Sequence, residues 1–221
     1  MSDPLEAVGP LSALVDGTRR DAYDYVCAQD HPVGRDEVAT TLGIGRTLAA
    51  YHLDRLAAEG LLSVTYGRRS GRTGPGAGRP AKLYERSDRE LDVSLPPRDY
   101  GLAAHLLAHA AARDEGGETR RSLRDAAGSL GREIAVTSQG SADLERLLRE
   151  RGYEPYDDEG VMRLRNCPFH TVARSYPEIV CDMNLSLLEG LIGGLGLDVR
   201  ATLEPAPGRC CVAVTPGPDE R

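Results

Sequence analysis

The chain has 221 residues, 40% of them hydrophobic and 28% charged, and a formal net charge of -7. That balance suits folded cores rather than a disordered chain, and the length favours two domains over one. No apolar run approaches the roughly 20 residues that span a bilayer, and the start MSDPLEAVGP lacks the basic and apolar parts of a secretory leader, so a cytoplasmic protein with no membrane partner is expected.

Charge is divided unevenly. Residues 1–86 carry 11 basic and 11 acidic side chains, whereas residues 87–221 carry 16 and 23 and account for the whole imbalance. The first part can approach phosphate and the second would be repelled, which argues for two separate jobs.

Leu11 to Asp30 has the spacing of a first helix, with Leu11, Leu14, Val15, Ala22 and Val26 on its apolar side and a break marked by Asp16-Gly17-Thr18. His31-Pro32 ends it, because the residue before proline avoids the helical region. Arg35 to Leu42 makes a second helix with Val38, Ala39 and Leu42 inward. Gly43-Ile44-Gly45 turns the chain, and Arg46 to Glu59 makes a third helix with Ala49, Leu53 and Leu56 on one face and Gly60 as its stop. Leu61 to Tyr66 is a strand and Lys82 to Tyr84 its return. Between them Gly67 to Lys82 holds Arg68, Arg69, Arg72, Arg79 and Lys82 without one acidic residue.

Helix, short turn, helix and a two-stranded hairpin, in that order, make the winged helix-turn-helix pattern, in which the second helix of the pair enters the major groove and the hairpin touches the backbone or minor groove. Arg46, Thr47, Ala50, Tyr51 and Arg55 lie off the apolar face and are the groove-facing candidates. Arg46 and Arg55 can pair bidentately with guanine or phosphate. Arg68, Arg69, Arg72 and Arg79 would add position and salt dependence more than sequence choice. His52 reads as a satisfied structural histidine and Cys27 as a small core residue. The stretches LVDGTRRDAYDYV, DEVATTLGIGRTLAAYHLDRLAAEGLL and GRPAKLYERS resemble the winged-helix transcriptional regulators of the broad ArsR/MarR-like class over about residues 10–87. That resemblance implies DNA binding and identifies no effector.

From Asp99 the pattern turns helical and alanine-rich, with one helix over Tyr100–Asp114 and another over Glu118–Gln139, separated by Gly116-Gly117. Stripes of Leu and Ala without site chemistry suit packing against a twin, so a two-fold homodimer is expected here. His105 and His109, four apart on the first of these helices, flank the packing stripe. Ser141 to Gly152 is a short helix with Ser141 as its cap. Tyr153–Tyr156 and Val161–Asn166 form a hairpin, Pro177–Leu195 a helix, and Val199–Glu204 and Cys210–Val214 strands, with a frayed tail after Thr215. The whole is an α+β protein: a winged helix-turn-helix domain over 1–90, dimerisation helices over 98–140, and a small α+β metal-binding sensor domain over 141–215.

Four of the five cysteines, Cys167, Cys181, Cys210 and Cys211, fall in the last 55 residues. Cys167 and His170 stand three apart, a spacing that lets a turn wrap a metal, and Cys181 and Cys210 stand at element ends. Thiolates suit soft or borderline metals, so an iron–sulphur cluster, [4Fe-4S] or [2Fe-2S], or zinc is the chemically sensible occupant. Adjacent residues of a strand face opposite ways. Cys210 shares parity with Val212 and Val214, so Cys167, His170, Cys181 and Cys210 form the expected ligand set with Cys211 in reserve. The arrangement NCPFHTVARSYPEIVCDMNLSLLEGLIGGLG…APGRCCVAV is similar to the C-terminal domain of SufR-type repressors over about residues 150–214. The resemblance implies a homodimer with one cluster per subunit that senses iron–sulphur status, with His170 where a second cysteine would be expected.

These readings give a DNA-binding transcriptional regulator, a repressor by resemblance, whose affinity for a double-stranded operator is controlled by the cluster. The alternative is a winged-helix regulator with structural zinc or no metal that answers to an organic effector between the alanine-rich helices. An enzyme using a reactive thiol is the weakest reading, since no acid/base pair, phosphate loop or cofactor fingerprint accompanies the cysteines.

Overall fold

The computed structural model describes residues 4–67, 80–91, 99–138 and 143–217. The chain divides into two compact units, Met1–Arg98 and Asp99–Arg221. Both mix helices with a small antiparallel sheet. Among the described residues no helix is long and apolar enough to cross a membrane.

In the first unit the expected long helix is two, α1 (Pro4–Ala13) and α2 (Gly17–Cys27). The break falls where Asp16 leaves the helical region (φ -68°, ψ 119°) and its carboxylate accepts the Arg19 N–H at 2.9 Å, capping α2. After strand β1 (Val33–Gly34), helix α3 (Arg35–Leu42) opens with Asp36 and Glu37, which favour a helix N-terminus. It closes at Gly43 in the left-handed region (φ 64°), with the Ile44 N–H returning to the Ala39 carbonyl at 3.0 Å. This glycine turn aims α4 (Arg46–Ala58), whose Ala49, His52, Leu53 and Leu56 are buried on one face. Strands β2 (Leu62–Gly67) and β3 (Ala81–Arg86) pair from Leu62↔Arg86 to Gly67↔Ala81, and β1 joins β3 at Val33↔Tyr84, giving the order β1-β3-β2.

The core of this unit gathers Ala22, Val26, Val33, Val38, Leu53, Leu56, Leu62 and Tyr84, with Leu42 and Ile44 packed against it. Full burial of a leucine such as Leu53 or Leu56 contributes about 1.5–3 kcal/mol. One polar tie crosses from helix to sheet: the Tyr84 hydroxyl donates to Asp54 at 2.8 Å, and Lys82 also pairs with Asp54. Cys27 is half-buried rather than a core residue. His52 is buried as expected but not satisfied, since its Nδ1 has no hydrogen-bond partner among the described residues.

In the second unit α5 (Tyr100–Ala112) starts at Asp99, whose side chain caps it through the Leu102 N–H at 2.7 Å. Then come α6 (Glu118–Thr137), α7 (Leu144–Arg149), β4 (Pro155–Asp158), β5 (Val161–Leu164), a single turn α8 (His170–Ala173), α9 (Pro177–Leu195), β6 (Val199–Leu203) and β7 (Val212–Pro216). All three strand pairings are antiparallel, in the order β4-β5-β7-β6. The cap of α7 is Asp143, which accepts from the Arg146 N–H at 3.1 Å. The expected cap, Ser141, and the tail after Gly217 lie outside the described residues.

Helix α9 has two faces. Gly190 and Gly194 lie against Gly128, Gly131, Arg132 and Ala135 of α6, so closely that a Cβ on Gly190 or Gly131 would overlap backbone of the other helix. Leu188, Leu191 and Ile192 belong to a core with Leu164, Val212 and Val214 of the sheet and Leu147 and Leu148 of α7. The α6 contact fixes α9, and α9 carries Cys181 and Asn184 toward the start of β7.

Candidate functional site

The sheet and α9 bring four thiols together. Cys167 follows the end of β5, on a segment tied down by the Asn166 amide donating to the Gly152 carbonyl at 2.6 Å and by the His170 N–H donating to the Cys167 carbonyl at 3.0 Å. Cys181 sits in the second turn of α9. Cys210 and Cys211 lie just before β7, and the Cys210 N–H donates to the Leu164 carbonyl at 2.9 Å, so this segment lies beside the end of β5. Cys210 is buried and the other three are half-buried; all are free thiols.

The sulphurs hydrogen-bond to one another in a chain, Cys167 to Cys210, Cys210 to Cys211, and Cys211 to Cys181. Cys210 is the hub. The Cys167 thiol and then the Cys211 thiol donate to it, the Val212 N–H and the Asn184 amide add to them, and together they outweigh burial and hold Cys210 well below the usual thiol range. Cys167 and Cys211 are pushed up, first because they donate to Cys210 and second because they are buried. These hydrogen bonds favour loss of the Cys210 proton before those of its neighbours, and the thiolate is the form in which cysteine ligates metal. Among the described residues no set of three or more Cys, His, Asp or Glu side chains is arranged around a single metal ion.

The donor chemistry fits a thiolate-ligated group. Four sulphurs come from three segments, and backbone N–H groups of Phe169 and Val212 donate to Cys167 and Cys210 respectively. Such N–H···S bonds tune sulphur-ligated iron. Tyr153 and Phe169, stacked edge to face at 6.5 Å, line the apolar side. Of the expected ligands, Cys167, Cys181 and Cys210 belong to this group. His170 is exposed at the start of α8 and does not join the described thiol interactions. Cys211, expected to point away, does join. The alternation argument assumed that β7 begins at Cys210; the strand begins at Val212, the pair occupies a bend, and period-two alternation does not govern it.

One further residue belongs to the site. Asn184, fully buried on α9, donates through Nδ2 to the Cys210 sulphur at 3.3 Å and accepts the Tyr153 hydroxyl through Oδ1 at 2.5 Å. The sequence holds a clue: Asn184 shares a helical face with Leu188 and Leu191 (i, i+4, i+7) and follows Cys181 by three, an amide where an apolar residue belongs. Tyr176, just before α9, is touched edge-on by the rings of His105 and His109 and shares a 3.2 Å hydrogen bond with His109.

In the first unit, Arg46, Thr47, Tyr51 and Arg55 are exposed on α4, while Ala50 is half-buried. Each arginine is held by a neighbouring carboxylate, Arg46 by Asp36 at 3.2 Å and Arg55 by Glu59 at 2.6 Å. The Arg46–Asp36 pair is exposed on both sides, whereas the Glu59 side chain is 18% exposed. Leu48, Tyr51 and Tyr66 add exposed apolar surface to α4 and β2. Arg68, Arg69, Arg72 and Arg79 lie outside the described residues.

No family model matches the chain, and no curated protein matches it.

Proposed function

We propose that the chain is a dimeric DNA-binding regulator whose hold on its operator is set by an iron–sulphur cluster at Cys167, Cys181, Cys210 and Cys211. The observation that carries the sensor half is the meeting of four free thiols from three segments, with N–H donors already aimed at two of them. When bound, the cluster supplies a redox-active and oxygen-labile centre. The protein holds it with thiolates, orients those thiolates through Phe169, Val212 and Asn184, and limits water with Tyr153 and Phe169.

The DNA-binding half rests on α3, the Gly43 turn, α4 and the β2–β3 hairpin. This order supports a winged helix with α4 in the major groove. Arg46, Thr47, Tyr51 and Arg55 would meet bases or phosphate, and the exposed Leu48 and Tyr51 suit thymine methyl groups. Tyr100, Leu102, Leu106 and Leu107 on α5 and Leu130 and Val136 on α6 are exposed, apolar surface that a second copy of the chain would cover.

Within the second unit, the segment from Cys167 to Tyr176 touches α5 through Tyr176 and the two histidines. A change at the thiols therefore has a route to α5, the first element after the DNA-binding unit in the chain. Protein purified without air tests the reading. Stoichiometric iron and sulphide with visible absorption, lost on exposure to oxygen together with a change in operator affinity, is the expected result. Iron-free protein from an anaerobic preparation overturns it.

A further inference from the structure

Asn184 is the fully buried polar residue of α9, and burial of an amide in an apolar core is unfavourable unless both of its ends are used. Here both are. Oδ1 accepts the hydroxyl of Tyr153, itself 3% exposed, and Nδ2 donates to the Cys210 sulphur at 3.3 Å. The sulphur decides which way the amide faces, because a sulphur that ligates a cluster can only accept and would repel the amide oxygen. The Tyr153 hydroxyl, able to donate or accept, donates to Oδ1 in that pose and gives the amide a second anchor. Tyr153 thus holds the amide with its donor on Cys210, and α9 anchors the Cβ from a helix locked against α6.

We propose that Asn184, anchored by Tyr153, is a positioning residue that donates to the Cys210 sulphur and thereby sets the reduction potential of the cluster held by Cys167, Cys181, Cys210 and Cys211. This rests on the cluster reading above. An N–H···S hydrogen bond draws electron density from the thiolate. It stabilises the reduced, more negative cluster more than the oxidised one, so the potential rises with the bond and falls without it. Cys210 is the sulphur best placed for such control, because it is the buried member of the four.

The test uses the full chain, purified anaerobically, with iron, sulphide and the midpoint potential measured in a mediated redox titration. Asn184→Leu keeps the volume and removes the donor. It is expected to retain iron and sulphide while the midpoint falls, raising the oxidised-to-reduced ratio about tenfold at the wild-type midpoint, equal to ~59 mV for a one-electron couple. Tyr153→Phe keeps the donor but removes the hydroxyl that anchors Oδ1, so a smaller fall in the same direction is expected. Leu188→Val, a packing change on the same face of α9, should lower thermal stability and leave the midpoint where it was.

A midpoint unchanged in Asn184→Leu, with iron and sulphide intact, overturns the inference and leaves the cluster reading standing. If Asn184→Leu does not fold, Asn184→Ala, which also removes the donor, decides, and an unshifted midpoint there has the same force. Wild-type protein without iron overturns both.

Discussion

The closeness of α6 and α9 yields a prediction with an internal control. Replacing Gly190 by alanine adds one methyl group, whose position coincides with the backbone of Gly128: carbonyl oxygen, carbonyl carbon and Cα all lie inside van der Waals range. Backbone cannot swing aside as a long side chain can, so the helices must separate. Overpacking of this kind costs about 1–3 kcal/mol, and the opposing gain from replacing glycine in a helix is about 1 kcal/mol. Because separation also loosens α9 against the sheet, the cost belongs near or above the top of that range and a net loss of ~2 kcal/mol is expected. Gly193, three residues on in the same helix, is exposed and a Cβ there meets nothing within 4 Å. Gly193→Ala should therefore stabilise by about 0.5–1 kcal/mol. Urea unfolding followed by far-ultraviolet circular dichroism reads both. With a slope of ~2 kcal/mol per molar, Gly190→Ala moves the midpoint of the second unit down by ~1 M and Gly193→Ala moves it up slightly. Equal midpoints for the two variants would refute the argument that α9 is positioned by this contact.

Serine at Cys167, Cys181, Cys210 or Cys211 should each abolish or sharply lower iron content in anaerobic protein, whereas His170→Ala should retain it; iron and sulphide assays decide. Arg46→Ala and Arg55→Ala should weaken operator binding and each lower the slope of log affinity against log salt by about 1, measured by fluorescence anisotropy. The pH dependence of the first unit should carry the mark of His52. Burial holds its folded value below the ordinary 6.5, with Asp16 opposing and Arg19 assisting. Protons therefore favour the unfolded chain, and the stability is intact above about pH 6.5 and lost as pH falls below it. In urea titrations at successive pH values, wild type should lose ground to His52→Leu between pH 7 and pH 5; a constant difference would contradict the burial argument.

Helices were the most legible part of the fold. Arg35 to Leu42 and Pro177 to Leu195 are helices as expected, and Gly43 and Gly196 adopt the left-handed conformations that end them. The break at Asp16 was visible too, yet the sequence pattern still read as one helix, since Leu11 and Leu14 keep the spacing of Ala22 and Val26. Elements defined by tertiary contact were harder. The two-residue β1 exists because Val33 meets Tyr84, and α8 is a single turn without periodicity. Cys211 was misread for a related reason: the strand starts two residues later than its β-branched residues and parity suggest, and a bend has no alternating faces. Asn184 was overlooked because a polar residue in a helical stripe gains its meaning only from Tyr153 and Cys210, 31 and 26 residues away.

The central claim is that four thiols hold an iron–sulphur cluster that the DNA-binding half can feel. It is tested most directly by measuring operator affinity and iron content in one anaerobic sample before and after iron is stripped with a chelator. The account predicts iron at the start, and a change in affinity that tracks its removal and disappears in Cys211→Ser. Identical affinity with and without iron, or no iron at the outset, would contradict it.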